Sequence, residues 1–221
     1  MNHTLIALVP MRHHSERVPG KNYRLLAGKP LYAHILETLQ AVPEIQRIVV
    51  DTDSPAVMDG VRANFPEVVL LERPEHLRAG DIPMNAVLVH DTRQVAGDFY
   101  LQTHSTNPFL RPDTISAAVR TLFDLYPTYD SLFSVTRLQT RLYDQLGRAL
   151  NHNPDILLRT QDLPPVYEEN SCLYIFRGDT LLARQNRLGY RPLMFEIEAR
   201  EALDIDDELD FQLADLLLSQ S

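Results

Sequence analysis

A chain of 221 residues that is 44% hydrophobic and 23% charged has a globular composition and enough apolar material for one sizeable core. This excludes the disordered, collagen-like and coiled-coil classes. Its 21 basic against 30 acidic side chains give a formal net charge of -9, so it lacks the overall positive field of a nucleic-acid binder, and any anion it takes must be held locally.

Residues 5–9 form an uninterrupted apolar run, the pattern of a strand buried on both faces of a parallel sheet. No positive segment precedes this run and Pro10 cuts it short, so no secretory leader is expected there. No apolar run nears the roughly 20 residues that span a bilayer, and the single cysteine, Cys172, cannot close an internal disulfide. The expected location is therefore the cytoplasm, with no membrane partner. Further strand-like runs, rich in branched and aromatic residues, follow at 47–50, 68–71, 98–101, 131–135 and 172–176. Helical spacing recurs at 31–42, 56–64, 84–96, 114–126 and 209–218; Ser54 and Pro55 give the second of these an N-cap and a first-turn proline. Strand and helix alternate over about the first 135 residues, which predicts a mostly parallel α/β sheet with helices on both faces. The alternation fails over 136–165, rich in Arg, Asn, Pro and Gln. This stretch reads as an excursion within a single domain, 1–221, that either covers a ligand or packs on a second subunit.

In open α/β sheets the loops at the carboxyl ends of the strands form the ligand crevice. The loop after the first strand, Pro10-Met11-Arg12-His13-His14-Ser15-Glu16-Arg17-Val18-Pro19-Gly20-Lys21-Asn22, carries three permanent cations on an acidic protein. Arg12 and Arg17 could grip phosphate oxygens through paired donors and Lys21 could act as a point charge, with Ser15 and the backbone near Gly20 adding neutral donors. A solvated basic loop is the alternative. Neither G-x-x-x-x-G-K-[ST] nor G-x-G-x-x-G occurs.

Near the C-terminus lies the densest acidic stretch, Asp204-Ile205-Asp206-Asp207-Glu208-Leu209-Asp210-Phe211. In extended backbone Asp204 and Asp206 project to one side and Ile205 to the other, towards the core. Two carboxylates so placed suit Mg²⁺, which takes one or two of them together with phosphate and water oxygens. An acidic helix start is the competing reading, and Asp207 and Glu208 suit it for the helix from about 209. The eight histidines form no zinc-type spacing, and no G-x-S-x-G elbow is present. Cys172 reads as a small buried residue, not a nucleophile.

The run P-x-R-x-x-S-x-R-x-P-G-K-N, followed by Ala27-Gly28-Lys29-Pro30-Leu31, resembles the sugar-acid cytidylyltransferases, the acylneuraminate (CMP-sialic acid) synthetases and their relatives acting on 3-deoxy-manno-octulosonate. The D-I-D-x-x-x-D-F run resembles the family's metal-carboxylate motif and falls in family order. The resemblance implies a Rossmann-like three-layer sandwich of the nucleotide-diphospho-sugar transferase type with a small dimerisation arm, expected at 136–165. It also implies a homodimer that uses CTP and a divalent metal to activate a 2-keto sugar acid with release of pyrophosphate. Arg12, Ser15, Arg17, Lys21 and Asn22 fall on the nucleotide loop, and Asp204 and Asp206 on the metal pair; Arg12, Lys21 and Asp204 are the expected catalytic set.

Three intermediate segments extend the likeness. Glu72-Arg73-Pro74-Glu75-His76-Leu77-Arg78-Ala79-Gly80-Asp81 resembles R-P-x-x-L-A-x-D, placing Arg73 and Asp81 beside cytosine and ribose; a surface ion pair of Arg73 with Glu72 or Glu75 is the alternative. The 101–111 segment resembles L-Q-P-T-S-P-x-R with Thr103 for proline and two extra residues, and Gln102, which matches, is expected to orient sugar or nucleotide as a substrate contact; His104, among the loop histidines, is a further candidate for substrate contact. Glu169-Asn170-Ser171-Cys172-Leu173-Tyr174-Ile175-Phe176 resembles E-N-G-x-x-Y-x-F, with Asn170 near the sugar and Ser171 in place of glycine. The loop mixes features of the octulosonate and sialate branches, which leaves the sugar open. A phosphonate or other rare acidic acceptor, and a non-catalytic nucleotide sensor, are the rival functions.

Overall fold

The computed structural model describes residues 3–220; Met1 and Asn2, at the head of the segment read above as no leader, lie outside the described residues. In chain order the elements are β1 (Leu5–Met11), a hairpin of β2 (Leu25–Leu26) and β3 (Lys29–Pro30), α1 (Leu31–Gln40), β4 (Arg47–Thr52), α2 (Pro55–Asn64), β5 (Val69–Glu72) and α3 (Met84–Gln94). There follow β6 (Phe99–Gln102), α4 (Pro112–Leu125), β7 (Ser131–Leu138), β8 (Val166–Arg177), α5 (Gly178–Arg184), β9 (Pro192–Glu196) and α6 (Glu208–Ser219). Seven strands make one sheet in the order β5-β4-β1-β6-β8-β7-β9. β1 runs parallel to both β4 and β6, β4 to β5, and β7 to β9, whereas β8 is antiparallel to its neighbours β6 and β7.

The apolar run of β1 is buried because both faces are covered. Leu5, Ala7 and Val9 pack with residues of α1, α2 and α4, and Ile6 and Leu8 with Leu88 and Val89 of α3. This is the three-layer arrangement read from the alternation. The Ser54 hydroxyl accepts from the Val57 amide and caps α2 as expected. Beyond the sequence pattern stand the short hairpin of β2 and β3, α5, of seven residues, and β9, whose exposure alternates along an edge strand that begins with proline.

A third apolar cluster joins distant parts of the chain. Val18 of the loop after β1, Leu26, Leu31, Phe109 of the loop after β6, Ile205 and Phe211 of α6 pack together. This cluster draws the C-terminal segment against the carboxyl ends of β1 and β6. Those two strands flank the point where the order reverses, from β4 and β5 on one side to β6 on the other, the position at which open sheets bind ligands.

The excursion begins later than its composition suggested, because β7 continues to Leu138 and pairs with β8 from Val166. Between them residues 139–165 hold one bridge, Tyr143 to Ala149, and a short turn of helix, Thr160–Asp162. Among the described residues no helix is long and apolar enough to cross a membrane.

Candidate active site

The loop after β1 reaches its shape through local chemistry. Gly20 has φ 67, the left-handed region that glycine enters without penalty, and a side chain there would collide with the Tyr23 ring. The buried Asn22 ties this loop to its neighbour: its Nδ2 donates to the Arg12 carbonyl at 2.7 Å, and its Oδ1 accepts from the Ser105 hydroxyl at 2.6 Å. Beneath the loop lies a cavity of about 510 Å³ whose wall includes Arg12, Ser15, Arg17, Lys21, Asn22 and Arg73 on one side and Asp204 and Asp206 on another. Residues some 190 positions apart in sequence therefore share one hollow.

They also touch. Arg17 Nη2 lies 2.7 Å from Asp206 Oδ1, both side chains half exposed, and Lys21 Nζ donates to the Ile205 carbonyl at 2.5 Å. An ion pair this exposed is weak enough for a ligand to open. Burial lowers the Lys21 pKa, against the raising pull of Asp204 and Asp206. Burial also raises the Asp204 carboxyl above the ordinary range; Asp206 pushes in the same direction, while a bond from the Thr106 hydroxyl and the charge of Lys21 oppose it. Asp204 Oδ1 is buried with no hydrogen-bond partner among the described residues. An orphaned carboxylate oxygen beside a second carboxylate, at the rim of a cationic cavity, is a donor set that fits a hard divalent cation. Asp210 is spoken for: with Asp207 it forms the capping box of α6, and its Oδ2 accepts from the amides of Asp206 and Asp207.

The remaining expectations divide. Arg73 lines the cavity but is 2% exposed, and its partner is the buried Asp51; the surface pairing with Glu72 or Glu75 does not form, Glu72 being taken by Arg78. Asp81 is exposed and does not line the cavity, although Gly80 and Ile82 beside it do. Gly80 leaves room for Arg12, whose Nη1 lies 3.3 Å from where a Gly80 side chain would begin.

His104 lines the cavity, whereas Gln102 is fully buried behind it and does not line it. Arg187, which can only donate, bonds Gln102 Oε1 at 2.6 Å, so the Gln102 amide nitrogen must face His104 Nε2, 2.9 Å away. That fixes the neutral imidazole with its proton on Nδ1. Burial, then Arg187 and Lys21, lower the His104 pKa to about 4. Arg187 also sits 3.5 Å over the Tyr174 ring. Nothing in its local sequence marked it, because its partners come from β6 and β8.

A second cavity of about 450 Å³ adjoins the first, sharing Ser171, Asp204 and Asp206 and adding Glu168, Glu169 and Asn170. Asn170 thus lines this neighbour, its Oδ1 accepting from Ser134 and its Nδ2 donating to Thr136. Cys172 is fully buried, and burial raises its thiol to about 12, which bears out the packing role. Among the described residues one three-residue grouping of metal-ligand type occurs, Asp51, His90 and Asp91; it includes the ion-pair partner of Arg73 and neither Asp204 nor Asp206.

Cations face paired carboxylates across a crevice at the switch point of an open α/β sheet, the place where such sheets bind ligands. The chain belongs to the cytidylyltransferase family, whose model matches residues 6–218, and it is accordingly a nucleotidyltransferase. It is 30% identical over 235 residues to the CMP-N,N'-diacetyllegionaminic acid synthase of Legionella pneumophila subsp. pneumophila, spanning 97% of this chain and 96% of that protein. It is 26% identical to the N-acylneuraminate cytidylyltransferase of Escherichia coli O18:K1:H7, spanning 97% of this chain and 52% of that protein. Its fold matches that of a CMP:2-keto-3-deoxy-manno-octonic acid synthetase complexed with CTP, at a TM-score of 0.73, 17% identity and coverage of 98% of this chain and 99% of that one.

Proposed function

We propose that the protein transfers the cytidylyl group of CTP to a 2-keto sugar acid of the sialate or octulosonate kind, giving a CMP-sugar and pyrophosphate. The observation that carries this reading is the convergence of Arg12, Arg17 and Lys21 with Asp204 and Asp206 on one cavity that opens into a second. CTP occupies the first cavity. Its phosphates lie against Arg12, Arg17 and Lys21, with Ser15 and Asn22 as neutral neighbours and Arg73 towards the nucleoside. The sugar acid occupies the second cavity, where Glu168, Glu169 and Asn170 supply acceptors and donors suited to a polyhydroxylated ring.

The acceptor's anomeric hydroxyl oxygen attacks the α-phosphorus and gives up its proton to solvent, the bond from the α-phosphorus to the bridging oxygen breaks, and pyrophosphate leaves with that oxygen. Arg12, Arg17 and Lys21 stabilise the charge that builds on the departing group, and the two cavities hold the reactants in line. His104, neutral, offers its Nδ1 proton as a hydrogen bond at the cavity wall without adding charge. Asp204 and Asp206 would hold Mg²⁺, which when bound supplies charge neutralisation and acidifies a neighbouring hydroxyl.

The arm at 139–165 leaves Leu146 71% and Leu157 89% exposed, with Leu150 and Ile156 also bare. We assign this surface to a homodimer contact, since apolar patches of this kind are ordinarily covered.

The test is a pyrophosphate-release assay with CTP and Mg²⁺ across keto-sugar acids and phosphonates. We expect turnover with a keto-sugar acid, and a loss of about 100-fold or more in kcat for Asp204→Asn and Asp206→Asn. Tight CTP binding without pyrophosphate from any acceptor would assign the protein to nucleotide sensing instead.

A further inference from the structure

Behind the nucleotide cavity, Asp51 of β4 and Asp91 of α3 are 1% and 0% exposed. Arg73 seals them from the cavity side. Its Nε donates to Asp51 Oδ1, its Nη2 lies 3.4 Å from the Asp51 carbonyl, and its own backbone is pinned by Thr52 and Arg78. The other three carboxylate oxygens, Asp51 Oδ2 and both of Asp91, are sealed from solvent with no partner among the described residues. One oxygen of each carboxylate and a ring nitrogen of His90, on the same helix as Asp91, lie within 4.8 Å of one another.

Charge balance decides what fills this space. Two ionised carboxylates against one guanidinium leave a buried negative charge without compensation, which is costly in a dry interior. A divalent cation would overshoot, leaving a buried positive charge beside Arg73. A proton on the half-buried His90 would balance the charge too, but would leave the two carboxylates with no donor between them; one proton on the carboxylate pair gives neutrality and also supplies the donor that Asp51 Oδ2 lacks. We propose that Asp91 is a positioning residue for the nucleotide site: as a neutral carboxylic acid it donates to Asp51 Oδ2 and fixes the Asp51 carboxylate in the orientation that holds Arg73 in the cavity wall. Burial, followed by the charge of Asp51 and its hydrogen bond, pushes the Asp91 carboxyl up to about 9 against the opposing pull of Arg73, which agrees with the geometry.

The consequence for CTP rests on the reading of Arg73 as a nucleotide contact, so the experiment separates the two. Arg73→Gln, Asp91→Asn and Asp91→Leu are compared with the parent protein by KM for CTP, kcat, and infrared difference spectroscopy of the protonated-carboxyl C=O stretch. We expect a protonated-carboxyl band at neutral pH that vanishes in Asp91→Asn. Asp91→Asn should keep KM for CTP near the parent value, because the amide nitrogen can donate to Asp51 as the acid does. Asp91→Leu, which orphans Asp51 Oδ2, should raise KM for CTP about tenfold with a smaller effect on kcat.

Absence of the band, or an unchanged KM in Asp91→Leu while Arg73→Gln raises it, would overturn the proposal. So would a divalent metal retained by the Asp204→Asn, Asp206→Asn double variant and lost with Asp91→Asn. Should Arg73→Gln itself leave KM unchanged, the assignment of Arg73 to CTP fails, while the band still reports on the proton. If Asp91→Leu does not fold, the band and the KM of Asp91→Asn carry the decision.

Discussion

Ser171 holds a backbone φ of 59, a conformation that costs a residue with a side chain about 1–2 kcal/mol. It stands where the resembled motif has glycine, and it lines both cavities. Its Oγ lies 3.2 Å from the Tyr174 hydroxyl, which itself donates to Glu169. Strain kept at the junction of two ligand spaces argues that the hydroxyl does something there that glycine would not. We expect Ser171→Gly to unfold at a higher denaturant midpoint, a gain of about 0.5–1 kcal/mol, while KM for the sugar acid rises roughly threefold to tenfold. A variant that gains stability and keeps its KM would leave the strain without a function. The backbone conformation was not legible in the sequence: the departure from glycine was visible, but the positive φ falls within the register shift between β7 and β8, which only the paired strands reveal.

At the scale of elements, the start of α6 shows how one acidic run serves two purposes. Asp207 accepts from the Asp210 amide, and Asp210 accepts from the amides of Asp206 and Asp207, so the helix cap also holds the backbone of a proposed metal ligand. Asp207→Ala should cost about 1 kcal/mol in chemical denaturation and leave kcat near the parent value, because Asp210 still holds Asp206. Asp210→Ala should cost a similar amount and lower kcat about tenfold, because Asp206 loses its anchor. Equal kinetics in the two variants would confine the box to stability.

Of the competing readings of this segment, the acidic helix start holds for Asp207 and Glu208, Asp207 capping α6 and Glu208 standing in its first turn, while the metal pair of Asp204 and Asp206 remains a proposal. The buried strands and long helices were legible because their periodicity is local. β9 and α5 were not, since an exposed alternating edge strand and a seven-residue helix carry little signal. The antiparallel β8 inserts between β6 and β7 after a long return from β7, which no local pattern announces. Arg187 and the Asp51 and Asp91 pair share that limitation, because each acquires its meaning from a partner dozens of residues away.

At the scale of the molecule, the site exists because one apolar residue rivets three loops. Ile205 is 1% exposed among Val18, Leu26, Leu31, Phe109 and Phe211. Its amide donates to the Thr106 carbonyl at 3.0 Å, and its carbonyl accepts from Lys21 at 2.5 Å. The side chain anchors the segment while its two neighbours, Asp204 and Asp206, face the cavities. Ile205→Ala should lose about 2–4 kcal/mol through the cavity it leaves, and the carboxylates should lose their register with the cations. Leu122→Ala, in α4 within the main core and away from the cavity, should lose a comparable amount. Measured at a temperature where both variants are fully folded, Ile205→Ala should show a raised KM for CTP and a lowered kcat, and Leu122→Ala should show neither. If the two behave alike, general stability and not the anchoring of the C-terminal segment sets the geometry, and the link from the third apolar cluster to the chemistry is broken.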